Sequence, residues 1–323
     1  MELEVRHLRF LDAIASAGSL TRAAIALGLS QPALTAQVNR VEHHLRGRVF
    51  DRGRHGARPT ELGEIVLHHA ADVLTALNDL DVAVQLYHTA AETNVLRIGV
   101  RSSMVIADLL DDVAAEVFDD RPVKTAATDR PTALTALAEG RLDLVLETEY
   151  PGRELAVPHG LGWCLVGAEP IFAIVSPEHP SAAHGQIDLA ALADSTWLSA
   201  NSVDDEFARH LSQRYEAAGL TPVPIQPVAP AMLRQLLRRD PRAVAAAQAL
   251  HSGAPIPGVL VALRGTPLRC RHFLLWREDS AMTARETESV RGGLVAAYNG
   301  LAKTGYRMPE WLAAHPGWLG NII

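Results

Sequence analysis

Gln31, Thr35 and Asn39 follow one another at four-residue spacing in the stretch Ser30 to Leu45, and each can address the edge of a nucleic-acid base. Gln and Asn pair bidentately with adenine, and Thr offers a hydroxyl or a methyl group. Arg40, Arg46 and Arg48 are suited to phosphates. Beyond them the run Val49 to Thr60 joins an apolar pair to a Gly-rich turn carrying Arg52, Arg54 and Arg58. Such a turn can approach a phosphate backbone or a narrow minor groove closely. The competing reading is a solvated polar face on an ordinary three-helix bundle.

For those side chains to act, the surrounding chain must present them. From Val5, the apolar positions Leu8, Leu11, Ile14 and Ala15 recur at helical spacing up to Gly18. Ser19 can cap a second helix, Leu20 to Leu27, which Gly28 closes. Ser30 can cap a third, with Pro32 in its first turn and an inward stripe of Leu34, Val38, Val41 and Leu45. That stripe leaves Pro32, Ala36, Asn39, Arg40 and His43 on the opposite side, where a major groove meets a recognition helix. Two short helices and a Gly-containing turn predict a helix-turn-helix, and the Gly-rich arginine loop predicts a short hairpin, or wing.

Charge points to the same end of the chain. The 323 residues carry a formal net charge of −7, yet residues 1–60 hold nine arginines against five acids. The remainder therefore has 21 basic and 32 acidic side chains. A basic head on an acidic body predicts that a polyanion is met at the N-terminus. With 48% apolar and 21% charged residues the chain is globular, and its length predicts about two domains. No apolar run approaches the ~20 residues of a membrane span, and no secretion signal is read, which predicts a cytoplasmic protein. Two cysteines, Cys164 and Cys270, exclude a disulfide scaffold and a Cys-rich zinc site.

The run Gly18-Ser19-Leu20-Thr21-Arg22-Ala23-Ala24, followed by Leu27, Ser30-Gln31-Pro32-Ala33-Leu34-Thr35, Gln37, Arg40, Val41-Glu42, Phe50, Arg52 and Pro59-Thr60-Glu61-Leu62-Gly63, resembles the winged helix-turn-helix of LysR-type transcriptional regulators. The resemblance implies that Ser30, Gln31, Pro32 and Thr35 approach the groove and that Arg52 touches DNA from the wing. Ala36 departs from the family pattern, standing where many members carry a basic or polar side chain. The partners implied are double-stranded DNA, a small-molecule effector and a homodimer or homotetramer, with RNA polymerase as a further candidate. No membrane, cofactor or metal is implied.

Thr60 can cap a long helix whose apolar positions Leu62, Val66, Ala70, Val73, Leu77, Leu80, Val84 and Tyr87 repeat at alternating fours and threes. This is the period of a coiled-coil seam. Packing on the chain's own domain is the alternative. The family resemblance favours pairing between subunits, with Val66, Val73, Leu77, Leu80 and Val84 in the seam and two heads per dimer set for pseudo-palindromic half-sites.

From Asn94 strands and helices alternate. Leu96–Val100, Val123–Ala127 and Leu142–Glu147 read as strands, with helices at 107–118 and 132–139 between them, a βαβαβ run that predicts a parallel sheet. A second unit is expected from strands at 170–176, 196–199 and 223–228 and helices at 188–192, 204–218 and 231–238, before a returning strand at 273–278. The expected organisation is a winged helix-turn-helix domain (1–60), a linker and dimerisation helix (61–92), and an α/β effector domain (93–304). A C-terminal extension (305–323) follows. Two lobes (93–166 with 267–304, and 167–266) resemble the periplasmic-binding-protein-like clamp of the LysR type. Ligands of such sheets sit beyond the carboxyl ends of the strands. The effector residues expected there are Arg101, Ser102, Ser103 and Thr128, with Asn201 and Ser202 from the second lobe. Arg101 and Arg130 beside a helix N-terminus suggest an anionic effector, with ordinary surface arginines as the rival reading. The stretch 239–245 departs from the Gly-rich segment many relatives carry.

Catalysis finds no support. His43-His44 and His68-His69 diverge by about 100° on their helices, and no Walker A loop, nucleophile elbow or His-Glu-x-x-His is present. The alternative to a regulator is a solute-binding module without DNA binding, against which the basic head and the missing signal both weigh.

Overall fold

A computed structural model describes residues 3–53, 56–89, 94–101, 104–118, 121–152, 154–199, 205–223, 225–228, 230–250, 258–280, 282–304 and 308–315. Two compact units are present. One gathers Met1–Asn78, Ala173–Ala246 and Ile256–Val261; the other gathers Asp79–Phe172, Ala247–Pro255 and Ala262–Ile323.

The chain begins with helices α1 (Val5–Ala17), α2 (Leu20–Ala26) and α3 (Gln31–His44), then the hairpin β1 (Phe50–Gly53) and β2 (Gly56–Pro59), then the long α4 (Glu61–Thr89). The signals read from sequence act locally. Gly18 closes α1 with a left-handed φ of 60°, and Ser30 caps α3 by accepting from the Ala33 amide. The apolar stripes converge as expected. Leu11, Ile14, Ala23, Ala24, Leu34, Val38, Val41, Val49 and Phe50 form one buried cluster, against which Val66 and Leu67 of α4 also pack.

At the start of α1, burial pushes His7 below its ordinary range, and its Nδ1 accepts the Glu4 amide at 3.0 Å. The fold thus favours the neutral ring. Its contribution is present above the unfolded imidazole's value, near 6.5, and is lost as pH falls through the lower folded value. We expect acidification below the unfolded imidazole's value to lower head stability through this group. Thermal melts of His7→Gln should lack that loss.

In the second unit β3 (Leu96–Arg101), α5 (Met104–Val117), β4 (Val123–Ala127), α6 (Arg130–Ala138) and β5 (Leu144–Glu149) make the expected parallel sheet, with β3 between β4 and β5. Strand β6 (Leu161–Val175) is nine residues longer at its start than the sequence pattern suggested. The chain continues through β7 (Gln186–Ile187), β8 (Thr196–Ser199), α7 (Asp205–Ala217), β9 (Ile225–Pro227), α8 (Pro230–Arg239), β10 (Ala243–Gln248) and β11 (Val259–Leu263). Here β8 lies parallel to both β9 and β10, over a core holding Trp197 and Tyr215, whose indole donates to the phenol oxygen at 2.9 Å.

Strand β12 (Arg269–Arg277) then returns antiparallel between β5 and β6. Helix α9 (Ala284–Thr304) follows, and α10 (Met308–Ala314) buries Met308 and Trp311. The described part of the C-terminal extension is therefore packed on the body. Strands β10 and β11 were not anticipated. The Arg239 to Ala245 stretch, read as a departure from a Gly-rich loop, ends α8 and opens a buried strand.

Candidate nucleic-acid interface

Helix α3 carries Gln31, Thr35 and Asn39 at positions i, i+4 and i+8, so their side chains stand in one row. Gln31, Pro32, Ala36, Asn39, Arg40 and His43 are exposed, while Leu34, Val38 and Val41 are buried. The polar side is open over the whole length of the helix. Gln31 Nε2 donates to Thr35 Oγ1 at 3.2 Å, and that hydroxyl donates to the Gln31 carbonyl at 2.8 Å, so the two groups are oriented together. Arg40 folds back along the helix, its Nε 3.4 Å from the Ala36 carbonyl. With His43, His44 and Arg46 it lines a shallow recess at the end of α3. His44 joins this recess although the sequence did not mark it as a DNA-facing residue.

The wing is fixed to this helix by hydrogen bonds. A Glu42 carboxylate oxygen accepts the amides of Val49 and Phe50 at 3.0 and 3.2 Å, and the Ala57 amide donates to the Gly18 carbonyl at 3.0 Å. A Cβ at Gly56 would overlap that same carbonyl oxygen. Many motif residues therefore act by positioning. Arg22 donates from Nε to the Ala17 carbonyl at the end of α1, and Thr60 caps α4 by accepting the Gly63 amide at 3.0 Å. Of the three wing arginines, Arg58 is exposed on β2, opposite Asp51. Arg52 lies in β1 with its side chain outside the described residues, and Arg54 lies outside them altogether.

On α4, Val66 packs in the head and Leu77 is half-buried, whereas Val73, Leu80 and Val84 are 44%, 57% and 45% exposed. The chain's own fold thus leaves an apolar stripe at heptad spacing uncovered on a 29-residue helix. Among the described residues no helix is long and apolar enough to cross a membrane.

At the carboxyl edge of the parallel sheet, Arg101 ends β3 and Arg130 opens α6. Both reach Glu147 on β5, at 2.7 and 3.2 Å. Both also donate to the Thr148 carbonyl, at 3.1 and 2.9 Å. Glu147 is fully buried, and burial pushes its carboxyl above the usual range against the downward pull of the two guanidiniums. Two guanidiniums thus converge on one buried carboxylate at this edge. Thr128, buried, follows β4 at the same edge. The sequence reading found both arginines but missed their partner Glu147, which pairs with Arg101 across the parallel strands β3 and β5. Ser102, Ser103, Asn201 and Ser202 lie outside the described residues.

With this geometry in place, comparison with known proteins settles the family. The model for bacterial regulatory helix-turn-helix proteins of the lysR family matches residues 5–64, and that for the LysR substrate binding domain matches residues 89–288. The chain is 34% identical over 332 residues to a small neutral protease regulatory protein of Streptomyces coelicolor, covering 99% of each chain. With another protein of that name, from S. coelicolor strain ATCC BAA-471 / A3(2) / M145, it shares 38% over 223 residues, 69% of this chain and 67% of the relative. Its fold is similar to that of full-length BenM, with a TM-score of 0.52 at 21% identity over 92% of this chain and 98% of the other. The chain belongs to the LysR family: it is a DNA-binding transcriptional regulator carrying an effector-binding domain, and not an enzyme.

Proposed function

We propose that α3 enters the major groove with Gln31, Thr35 and Asn39 reading base edges, while Ser30 and Pro32 at its start, Arg40 and the wing residues Arg52, Arg54 and Arg58 hold the flanking backbone. The observation that carries this reading is the exposed polar row on a helix whose opposite side is sealed in the head core. Gln31→Ala should relax preference at one base pair by about 1–3 kcal/mol. Arg58→Ala should weaken binding to all sequences alike and flatten the log–log salt dependence by about 0.9. Competition binding with operator variants across a salt series separates the two roles; identical changes in both variants would contradict the assignment. A regulator of this kind works on the chromosome, hence in the cytoplasm.

The exposed α4 stripe supports a second element of the reading, in which two chains pair through Val73, Leu77, Leu80 and Val84 and present two heads to pseudo-palindromic half-sites. The two guanidiniums of Arg101 and Arg130, gathered beside Thr128 at the carboxyl edge of the sheet, support an anionic effector such as a carboxylate. In a thermal-shift panel of small carboxylates the native protein should be stabilised by at least one, and Arg101→Ala should lose that shift. Equal shifts in both proteins would remove the anionic assignment.

A further inference from the structure

Away from the DNA-reading face, three metal-ligating side chains meet inside the second unit. Cys270 and His272 are two residues apart on β12 and so point to one face of the sheet. Glu169 on β6 is the cross-strand partner of Cys270. His272 Nε2 lies 2.8 Å from a Glu169 oxygen and 3.7 Å from Cys270 Sγ. One ligand atom from each residue lies within 4.8 Å of the others, and all three side chains are 0% exposed.

A buried carboxylate is costly unless its charge is matched. Further hydrogen bonds orient the ligands, Gln248 Nε2 lying 3.8 Å from Cys270 Sγ. The second Glu169 oxygen accepts the Leu250 amide at 2.6 Å, and His272 Nδ1 is 3.1 Å from Thr148 Oγ1. Ligating imidazoles and carboxylates are held in this way at metal centres. Tyr298 of α9 closes the face. Its ring occupies the space that a Cβ at Gly167 would take, and its hydroxyl donates to the Ala168 carbonyl at 2.8 Å. Burial, reinforced by the Glu169 carboxylate, pushes the Tyr298 phenol strongly up, so this neighbour stays neutral.

We propose that Glu169, Cys270 and His272 bind a divalent transition-metal ion of the zinc class. One nitrogen, one sulfur and one oxygen donor favour such an ion over magnesium or calcium. On binding, Cys270 releases its thiol proton to solvent, His272 binds through Nε2 and keeps its proton on Nδ1, and Thr148 Oγ1 accepts from it. Thiolate and carboxylate together cancel the double charge of the ion. The Thr148 carbonyl that receives Arg101 and Arg130 makes the outer shell of this centre continuous with the arginine cluster.

The test uses the full-length protein, stripped with a chelator and titrated with Co(II), then with Zn(II) against a chromophoric competitor. The expected result is one Co(II) per chain, with a near-ultraviolet thiolate-to-metal band that survives Cys164→Ser and vanishes in Cys270→Ser. Thr148→Val, which leaves all three ligands in place, should weaken Zn(II) binding about 10- to 100-fold. His272→Gln should weaken it at least as much. Native protein that takes up no stoichiometric Co(II), or a band that persists in Cys270→Ser, overturns the proposal. Should Cys270→Ser fail to fold, the native stoichiometry, the band and the Thr148→Val affinity still decide.

Discussion

Leu80→Glu is expected to convert the protein from an oligomer to a monomer and to lower affinity for a two-half-site operator by about 10²- to 10⁴-fold, the factor that linked binding contributes. The argument starts from exposure. Val73, Leu80 and Val84 keep about half their surface in water at a spacing that places them along one side of α4. A charge at the central position must be desolvated to keep the pairing, which costs more than the apolar contact returns. Affinity for an isolated half-site should barely change, because each head keeps its own core. Light scattering and binding to one-site and two-site DNA separate these effects; a Leu80→Glu protein that remains oligomeric would contradict the pairing assignment.

Gly63→Ala is expected to destabilise the head by about 3 kcal/mol, the upper end of the usual cost of overpacking. In most helix interiors this change stabilises. At Gly63, however, an added Cβ would overlap the carbonyl oxygen and carbon of Val49 and press on Pro59. Val49 leads into the wing and Pro59 ends it, so the helix cannot yield without moving the wing. Gly292 on α9 is the control: it is exposed, a Cβ there meets nothing, and its replacement by Ala should stabilise by up to about 1 kcal/mol through helix propensity. Chemical denaturation of the two variants measures both signs. Equal behaviour would show that the Val49 contact does not constrain α4.

The head was legible because its signals are local. The Ser30 cap, the Gly18 turn and the Leu34, Val38, Val41 stripe each determine structure within a few residues. Beside them, the family resemblance named residues that the structure shows holding helix ends and wing: Arg22, Glu42, Thr60 and Gly63. Strand β10 was hidden because Ala243-Val244-Ala245-Ala246-Ala247 carries strong helix formers, and burial between strands overrides that preference. Two of the three residues of the arginine cluster were visible, since Arg101 and Arg130 stand after strand-like runs. Their partner Glu147 was not, because its burial follows from sheet register. The Glu169, Cys270 and His272 cluster depends on a pairing between residues about a hundred positions apart, which no spacing along the chain displays.

Base-level interference mapping on an operator selected from genomic DNA addresses the central claim most directly. If α3 reads the major groove, methylation at purine N7 should block binding within two half-sites separated by about one helical turn or more, and Gln31→Ala should lose the interference at one of those bases. Binding that ignores N7 methylation throughout, or that fails even at low salt, would contradict the account.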